Sequence, residues 1–244
     1  MKQQKKPLLS IITICYNIKD EIEKTCQSIV SQTWQDFEWI VVDGGSTDGT
    51  VDILNQYRSR MNVFISEPDK GVYNAMNKGI KLASGEWLNF MNGGDTYAAN
   101  DVLEKVFKDK KYDADVLYGN VNKIYPDGHT EHSHYKNKLD LFYFANDVIN
   151  HQSTFIRRSL FDKYGLYDEK YRIASDWEKW IIFMKNGCMF KKVDMTVADF
   201  MCNGISSNQS ALAIEKEEIC KKYFVKQSRY LLFGRLPIMI IEEK

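Results

Sequence analysis

The chain has 244 residues, of which 44% are hydrophobic and 27% charged, a balance that excludes a disordered polypeptide and is enough to build a real core. Lys+Arg and Asp+Glu are equal at 33 each, so a dominant nucleic-acid-binding surface is not expected. The five cysteines (Cys15, Cys26, Cys188, Cys202, Cys220) are scattered, form no C-x-x-C and read as reduced thiols of a cytosolic protein.

The start, "MKQQKKPLLSIITICYN", has the basic head and short apolar run of a signal peptide. It lacks a small-residue cleavage site, and Leu8 to Cys15 has the length of a buried strand. No stretch is long and apolar enough to span a bilayer. The segment Asp20 to Ser31 carries Ile22, Cys26, Ile29 and Val30 at helical spacing. "EWIVVD" is a second strand, "STDGTVDILNQYR" a helix with Ser or Thr near its cap, "NVFISE" a third strand, "GVYNAMNKGIKLA" a helix and "GEWLNFM" a fourth strand. Continuous apolar strands separated by amphipathic helices predict an α/β protein with a parallel sheet covered on both faces. In such sheets ligands collect at the carboxyl ends of the strands. Those ends carry Tyr16-Asn17, Asp43-Gly44-Gly45, Glu67-Pro68-Asp69 and Asn92-Gly93-Gly94-Asp95.

Beyond Asp101 the alternation loosens. "ADVLYGNVNKIYPDGHTEHSHY" predicts two strands around a Pro-Asp-Gly turn, "STFIRRSLF" a strand running into a short helix, and "SDWEKWIIFMKNG" a helix with Asp176 near its start and Gly187 as its stop. "FKKVDMTVADF" is a further strand, and from about Ser210 the chain reads as a mixed-charge helix ending in "RYLLFGRLPIMIIEEK".

Four stretches can carry chemistry. In "VVDGGSTDGT" a strand delivers Asp43, able to accept from a base or ribose; the alternative is a tight turn with Asp48 as a cap. The absence of G-x-G-x-x-G argues against a dinucleotide fingerprint. In "EPDKGVYNAMNKG", Asn74, Asn77 and Lys78 fall within about one helical turn and are expected to share a face, with Lys78 a candidate for a pyrophosphate. In "FMNGGD", two glycines precede the carboxylate Asp95; this suits a hard divalent cation, Mn or Mg, with the glycines making room for a diphosphate. His151 in "NHQS" is a candidate contact to diphosphate, acceptor or metal. The cluster His129, His132 and His134 reads as a solvated hairpin rather than a zinc site.

Together, "LLSIITICYN", "DGGSTDGT", "EPDKGVYNAMNKG" and "GEWLNFMNGGD" resemble, in order and spacing, the family 2 glycosyltransferases of the GT-A fold. "NHQSTFIRRSLF" and "ASDWEKW" look like the acceptor-side segments of bacterial members that build surface polysaccharide. The resemblance covers roughly Pro7 to Phe200. It implies a Rossmann-like, mostly parallel sheet flanked by helices, with residues 1–100 binding the nucleotide sugar. Residues 101–209 would supply the acceptor side and catalytic base, and residues 210–244 a helical tail. It implies Asp43 on a nucleobase, usually uracil, Asp69 in the nucleoside pocket, Asp95 as metal anchor and Asp176 as catalytic base. Tyr16, Asn17, Asn77, Lys78, Gly94 and His151 complete the expected nucleotide-sugar contacts. Two departures stand out: the metal motif has Asn92 in place of its earlier Asp, and Ser175 replaces the Glu before Asp176. The family's A-R-N is Ala75-Met76-Asn77, so an arginine contact to the nucleotide must come from elsewhere.

The implied reaction is inverting transfer from a UDP-hexose or UDP-N-acetylhexosamine to a hydroxyl of a glycan or polyprenyl-linked acceptor, at the cytoplasmic face of the membrane. The tail fits docking on the domain, pairing in a homodimer or contact with a membrane surface. Two rivals are a sugar-phosphate nucleotidyltransferase, which wants a basic Gly-rich loop where "CYNIKDE" stands, and a non-catalytic sugar-nucleotide or glycan-binding module, against which Asp95 and Asp176 both speak.

Overall fold

A computed structural model describes residues 6–202 and 209–224. The apolar tail after Ser228, for which docking, pairing or membrane contact is expected, lies outside the described residues. Among the described residues no helix is long and apolar enough to cross a membrane.

The strand–helix alternation appears as expected. β1 (Leu9–Cys15), β2 (Phe37–Asp43), β3 (Val63–Ser66) and β4 (Trp87–Phe90) form a parallel block, connected through α1 (Lys19–Val30), α2 (Thr50–Gln56) and α3 (Val72–Leu82). The second part adds β5 (Thr96–Tyr97), α4 (Val102–Phe107), β6 (Val116–Ile124), β7 (Thr130–Ser133) and α5 (Leu141–Asn146). β8 (Thr154–Arg157), α6 (Arg158–Tyr164), α7 (Ser175–Lys185), β9 (Phe190–Met201) and α8 (Gln209–Phe224) complete it. The strands make one nine-stranded sheet in the order β3-β2-β1-β4-β8-β6-β9-β5, with β7 on β6. β8 runs antiparallel to both β4 and β6, while β6 and β9 are parallel.

β1 is buried along its whole length because it lies between β2 and β4 with helices over the sheet, which is why it reads as an unbroken apolar run. From β1 the chain steps one way to β2 and β3, then returns to place β4 on the other side. The point between β1 and β4 is therefore the topological switch, the place where open α/β sheets leave a crevice at the strand ends. The loops leaving β1 (Tyr16-Asn17) and β4 (Asn92 to Asp95) flank it.

α2 starts later than the sequence suggests. Asp48 accepts from the amide and hydroxyl of Thr50 and from the Lys19 amide, so residues 46–49 form a turn and the helix begins at Thr50. These bonds, the Thr50 hydroxyl first, hold the Asp48 carboxyl down at about 2.

β6 and β9 pair with a register irregularity around Gly119. A Cβ there would lie 2.5 Å from Val197 Cγ2 and 2.8 Å from the Met195 carbonyl oxygen. The backbone atom cannot move aside, so Gly119→Ala is expected to cost about 1–3 kcal/mol by overpacking. The measurement is urea unfolding, with a lower midpoint at unchanged slope.

Candidate active site

At the switch point lies a cavity of about 730 Å³, lined among others by Tyr16, Asp69, Tyr73, Asn92, Asp95, His151, Gln152 and Asp176. Its centre is organised by two consecutive side chains. The chain makes a 3-10 turn at His151–Ser153 before entering β8, so His151 sits one step ahead of the strand. Buried Asn89 of β4 donates to the carbonyls of Gln152 (3.0 Å) and Thr154 (2.8 Å), which fixes the turn against the sheet. From it His151 Nδ1 reaches Asp176 Oδ2 at 2.9 Å, and Gln152 Nε2 donates to Asp95 Oδ2 at 2.8 Å.

The Asp176 carboxylate is held on both oxygens. Oδ1 accepts from the Trp177 amide (2.8 Å) and from Tyr73 OH (2.9 Å), whose proton is shared with the Ile173 carbonyl (2.7 Å). Burial, then the nearby Asp176 charge, pushes the Tyr73 phenol well above its ordinary range, so it stays a donor. Among the described residues Oδ2 accepts from the His151 ring alone and keeps a second lone pair. The other ring nitrogen, Nε2, lies 2.9 Å from Asn92 Nδ2. A neutral ring that donates through Nδ1 accepts that Asn92 N–H, which leaves Asn92 Oδ1 facing away.

Asp95 is 4% exposed. Its Oδ1 accepts from the Met201 amide at the end of β9 (3.0 Å), and its own carbonyl accepts from Thr25 of α1 (2.8 Å). Burial raises the carboxyl from 3.8 to about 6 despite these bonds. Among the described residues Asn92 Oδ1 and Gln152 Oε1 are both buried without a hydrogen-bond partner, and both residues line the cavity with Asp95. One carboxylate and two free amide oxygens form a hard-oxygen donor set that fits Mg²⁺ or Mn²⁺. Among the described residues no group of three or more His, Cys, Asp or Glu converges as a metal site of another type, the His129-His132 hairpin included.

The structure brings Tyr16, Asp69, Asp95, His151 and Asp176 onto the one cavity. Five other expected contacts stand outside its lining. Asn17 ties the end of β1 to the next loop, donating its amide to Ser46 Oγ and accepting from the Thr47 amide. Asp43 is fully buried and accepts from Gly45 N, Ser46 N and the hydroxyls of Ser46 and Ser66, closing the turn from beneath. Asn77 donates to the Tyr167 carbonyl and Glu169. Lys78 pairs with Glu67 at 2.7 Å, so it does not share the working face of Asn74 and Asn77, both of which reach Glu169. Gly94 holds the turn with φ +97° and gives its amide to Thr25. Its neighbour Gly93 lines the cavity, and a Cβ there would press on Cys15, Ile18 and Ile22. The glycines of "NGGD" thus also serve the turn and the packing of α1 beneath it.

Sequence reasoning missed Gln152 and Tyr73 as site residues. The signal for Gln152 was its place beside His151 in the quoted "NHQS". Tyr73 gave none beyond being a polar-tipped aromatic on a core-facing helix.

The sequence matches the family model described as Glycosyl transferase family 2 over residues 10–175. A PGL/p-HBAD biosynthesis glycosyltransferase of Mycobacterium bovis is 35% identical over 177 residues, covering 70% of this chain and 68% of that protein. Among solved structures, S. aureus TarS in complex with UDP superposes with a TM-score of 0.68 at 19% identity, covering 89% of this chain and 67% of that one. A mannosyltransferase from Pyrobaculum calidifontis in complex with GDP-Man and Mn2+ gives 0.65 at 16% identity, covering 91% and 64%. The fold is thus that of the GT-A transferases. The chain belongs to glycosyl transferase family 2 and is a glycosyltransferase.

The buried Asp95 carboxyl has a folded pKa above its unfolded value. It therefore costs nothing below about pH 4, destabilises progressively between about 4 and 6, and does so fully above that. In Asp95→Asn, Gln152 can turn its amide over and present Oε1 to the new N–H. Without divalent cation at pH 7.5, Asp95→Asn is expected to be more stable than the parent by up to about 3 kcal/mol, the gap narrowing toward pH 5. Thermal unfolding at both pH values measures it.

Proposed function

We propose that the protein transfers a sugar from a UDP-hexose or UDP-N-acetylhexosamine to a hydroxyl of a glycan or lipid-linked acceptor, with inversion. The observation that supports this most directly is that Asp95 and Asp176 line one cavity and are held by adjacent side chains, Gln152 and His151. Inverting transfer needs two functions on opposite sides of the sugar carbon: a stabiliser for the leaving diphosphate and a base for the acceptor hydroxyl.

Asp176 Oδ2 is the atom assigned as base, because it alone on that carboxylate keeps a free lone pair. The acceptor O–H gives its proton to Oδ2 and the acceptor oxygen bonds to the sugar carbon. The bond from that carbon to the phosphate oxygen breaks, and its electron pair leaves with the diphosphate. Attack from the far side turns an α-linked donor into a β-linked product. Tyr73, the Trp177 amide and His151 fix the carboxylate so that the remaining lone pair has one direction. Asp95, with Asn92 Oδ1 and Gln152 Oε1, would hold the divalent cation, which when bound offsets charge on the diphosphate as a Lewis acid. The amide oxygens stand in for the carboxylate missing at position 92. Being neutral, they leave tight binding of the cation to the negative charge of the nucleotide. Tyr16 and Asp69, at the β1 and β3 exits, are assigned to the nucleoside. Work at the cytoplasmic face of a membrane follows if the acceptor is lipid-linked.

Thermal shift against a panel of nucleotide sugars with Mn²⁺ identifies the donor as the one giving the largest rise. Asp176→Asn is expected to lower turnover by at least about 100-fold while UDP affinity stays within about twofold. Asp95→Ala is expected to lose both turnover and the Mn²⁺-dependent part of UDP binding. Near-normal turnover by Asp176→Asn would remove the base assignment.

A further inference from the structure

Helix α8 is 16 residues long and fully buries Ile219 alone, and its side chains reach the helix that carries Asp176. Leu212, Cys220, Tyr223 and Phe224 pack partly buried against the core beside Ile219, and polar contacts add to them. Lys222 Nζ and Tyr223 OH bond to Glu178 Oε1, at 2.8 and 3.0 Å, and Glu178 itself is 2% exposed. Lys170 pairs with Glu218, and Lys216 lies over the Trp177 ring at 5.4 Å. Three residues of α8 — Gln209, Leu212 and Lys216 — line the same cavity as Asp176.

The contact that stands apart is Glu215. Its carboxylate accepts three successive backbone amides: Arg172 N on Oε1 at 2.7 Å, and Ile173 N and Ala174 N on Oε2, both at 2.9 Å. These amides immediately precede α7. Ala174 is the N-cap of that helix, it makes no side-chain cap bond, and Asp176 is the second residue of the helix. A helix start leaves amides without intrahelical partners, and a carboxylate placed there satisfies them and favours the positive end of the helix dipole. Here the cap comes from another helix, about forty residues on in the sequence.

We propose that Glu215 is a positioning residue for the Asp176 base; the inference rests on the role given to Asp176 above. The coupling runs through two bonded steps. Glu215 sets the backbone at 172–174, and the Ile173 carbonyl in that backbone shares the Tyr73 proton with Asp176 Oδ1. Moving the 172–174 segment therefore moves both the start of the helix carrying Asp176 and the phenol that holds its Oδ1. What is left unsatisfied without Glu215 is three amides at a cavity wall, which can be met only by water or by a different path of the segment. Displacement of a base by even about 1 Å lowers turnover by up to about 100-fold while leaving binding of the nucleotide, on the far side of the cavity, alone.

The test compares Glu215→Ala, Glu215→Gln, Lys222→Met and Asp176→Asn in the full chain. Hydrolysis of UDP-GlcNAc or UDP-glucose with Mn²⁺ gives kcat and KM, calorimetry gives UDP affinity, and hydrogen exchange reports the amides of residues 172–177. Glu215→Gln keeps the shape and replaces one acceptor oxygen with a donor, so it remains informative if the alanine variant folds poorly. Both Glu215 variants are expected to lower kcat about 10- to 100-fold with KM and UDP affinity within about twofold, and to speed exchange at 172–174. Lys222→Met loosens α8 at its other end; it is expected to lower the melting temperature with kcat within about twofold of the parent.

Glu215 variants with parental kcat, or with undiminished protection at 172–174, overturn the proposal. So does a kcat loss in Lys222→Met that matches theirs, since that would make Glu215 a stability contact only. The exchange readout needs no turnover: undiminished protection at 172–174 overturns the proposal even if neither sugar nucleotide is hydrolysed. An Asp176→Asn variant that hydrolyses donor at the parental rate removes the base and this proposal together. Loss in Asp176→Asn alone, with active Glu215 variants, removes only the latter.

Discussion

The site depends on one short turn, His151 to Ser153, in which neighbouring side chains hold two carboxylates that come from distant parts of the chain. Asp95 follows β4 and Asp176 opens α7, eighty-one residues further along the chain. Gln152 on one and His151 on the other set their separation. The turn is itself fixed by Asn89, a buried amide on β4 whose three bonds are all made inside the core: to the Gln152 carbonyl in the turn, to the Thr154 carbonyl at the start of β8, and from Tyr97 OH. A buried polar side chain with every group satisfied is stable and hard to displace, so it serves as a rigid reference for the groups beyond it. The geometry of the reactive cavity thus traces back to an asparagine that touches no ligand.

That arrangement explains why the parallel block was legible in the sequence and the second part only in outline. β1 and β2 are covered on both faces, so apolar runs survive intact and their ends are marked by sharp changes of composition. The convergence of Tyr16, Asp69 and Asp95 followed from their places at the carboxyl ends of the strands, and the strand order then set the switch point among them. Asp43 shows the limit of the same logic. An aspartate after a strand and before glycines can face a ligand or the turn itself, and here the two hydroxyls of Ser46 and Ser66 with two amides take it into the turn. The deciding partner, Ser66, lies on another strand. Lys78 was likewise decided by a contact made across a loop, to Glu67, rather than by its position on the helix.

The His151 and Asp176 segments were recognisable as motifs, but their link through a 3-10 turn was not, because such turns carry no periodicity. Helix α8 was legible as a helix from about Ser210, but its docking was not. Leu212, Ile219, Cys220, Tyr223 and Phe224 pack on the core, while the charges between them look like a solvated helix. The ion pairs and Glu215 on three backbone amides depend on the coordinates of their partners and leave no pattern in the sequence.

The two carboxylates are also held in opposite ways, and the difference follows their assigned roles. Asp176 is surrounded by donors: a phenol, an amide and an imidazole. These leave one lone pair open on Oδ2, as the proposed base requires. Asp95 accepts from Gln152 Nε2 and the Met201 amide but is more deeply buried, and burial raises its carboxyl to about 6. Among the described residues Asn92 Oδ1 and Gln152 Oε1, on the same cavity, have no donor. Buried acceptors without donors are costly in the free protein, and a positive charge relieves that cost. A site arranged this way is less stable by itself than it could be. The substitution that removes its charge should therefore stabilise the fold as it destroys the activity, as expected where function, not stability, has selected the residues.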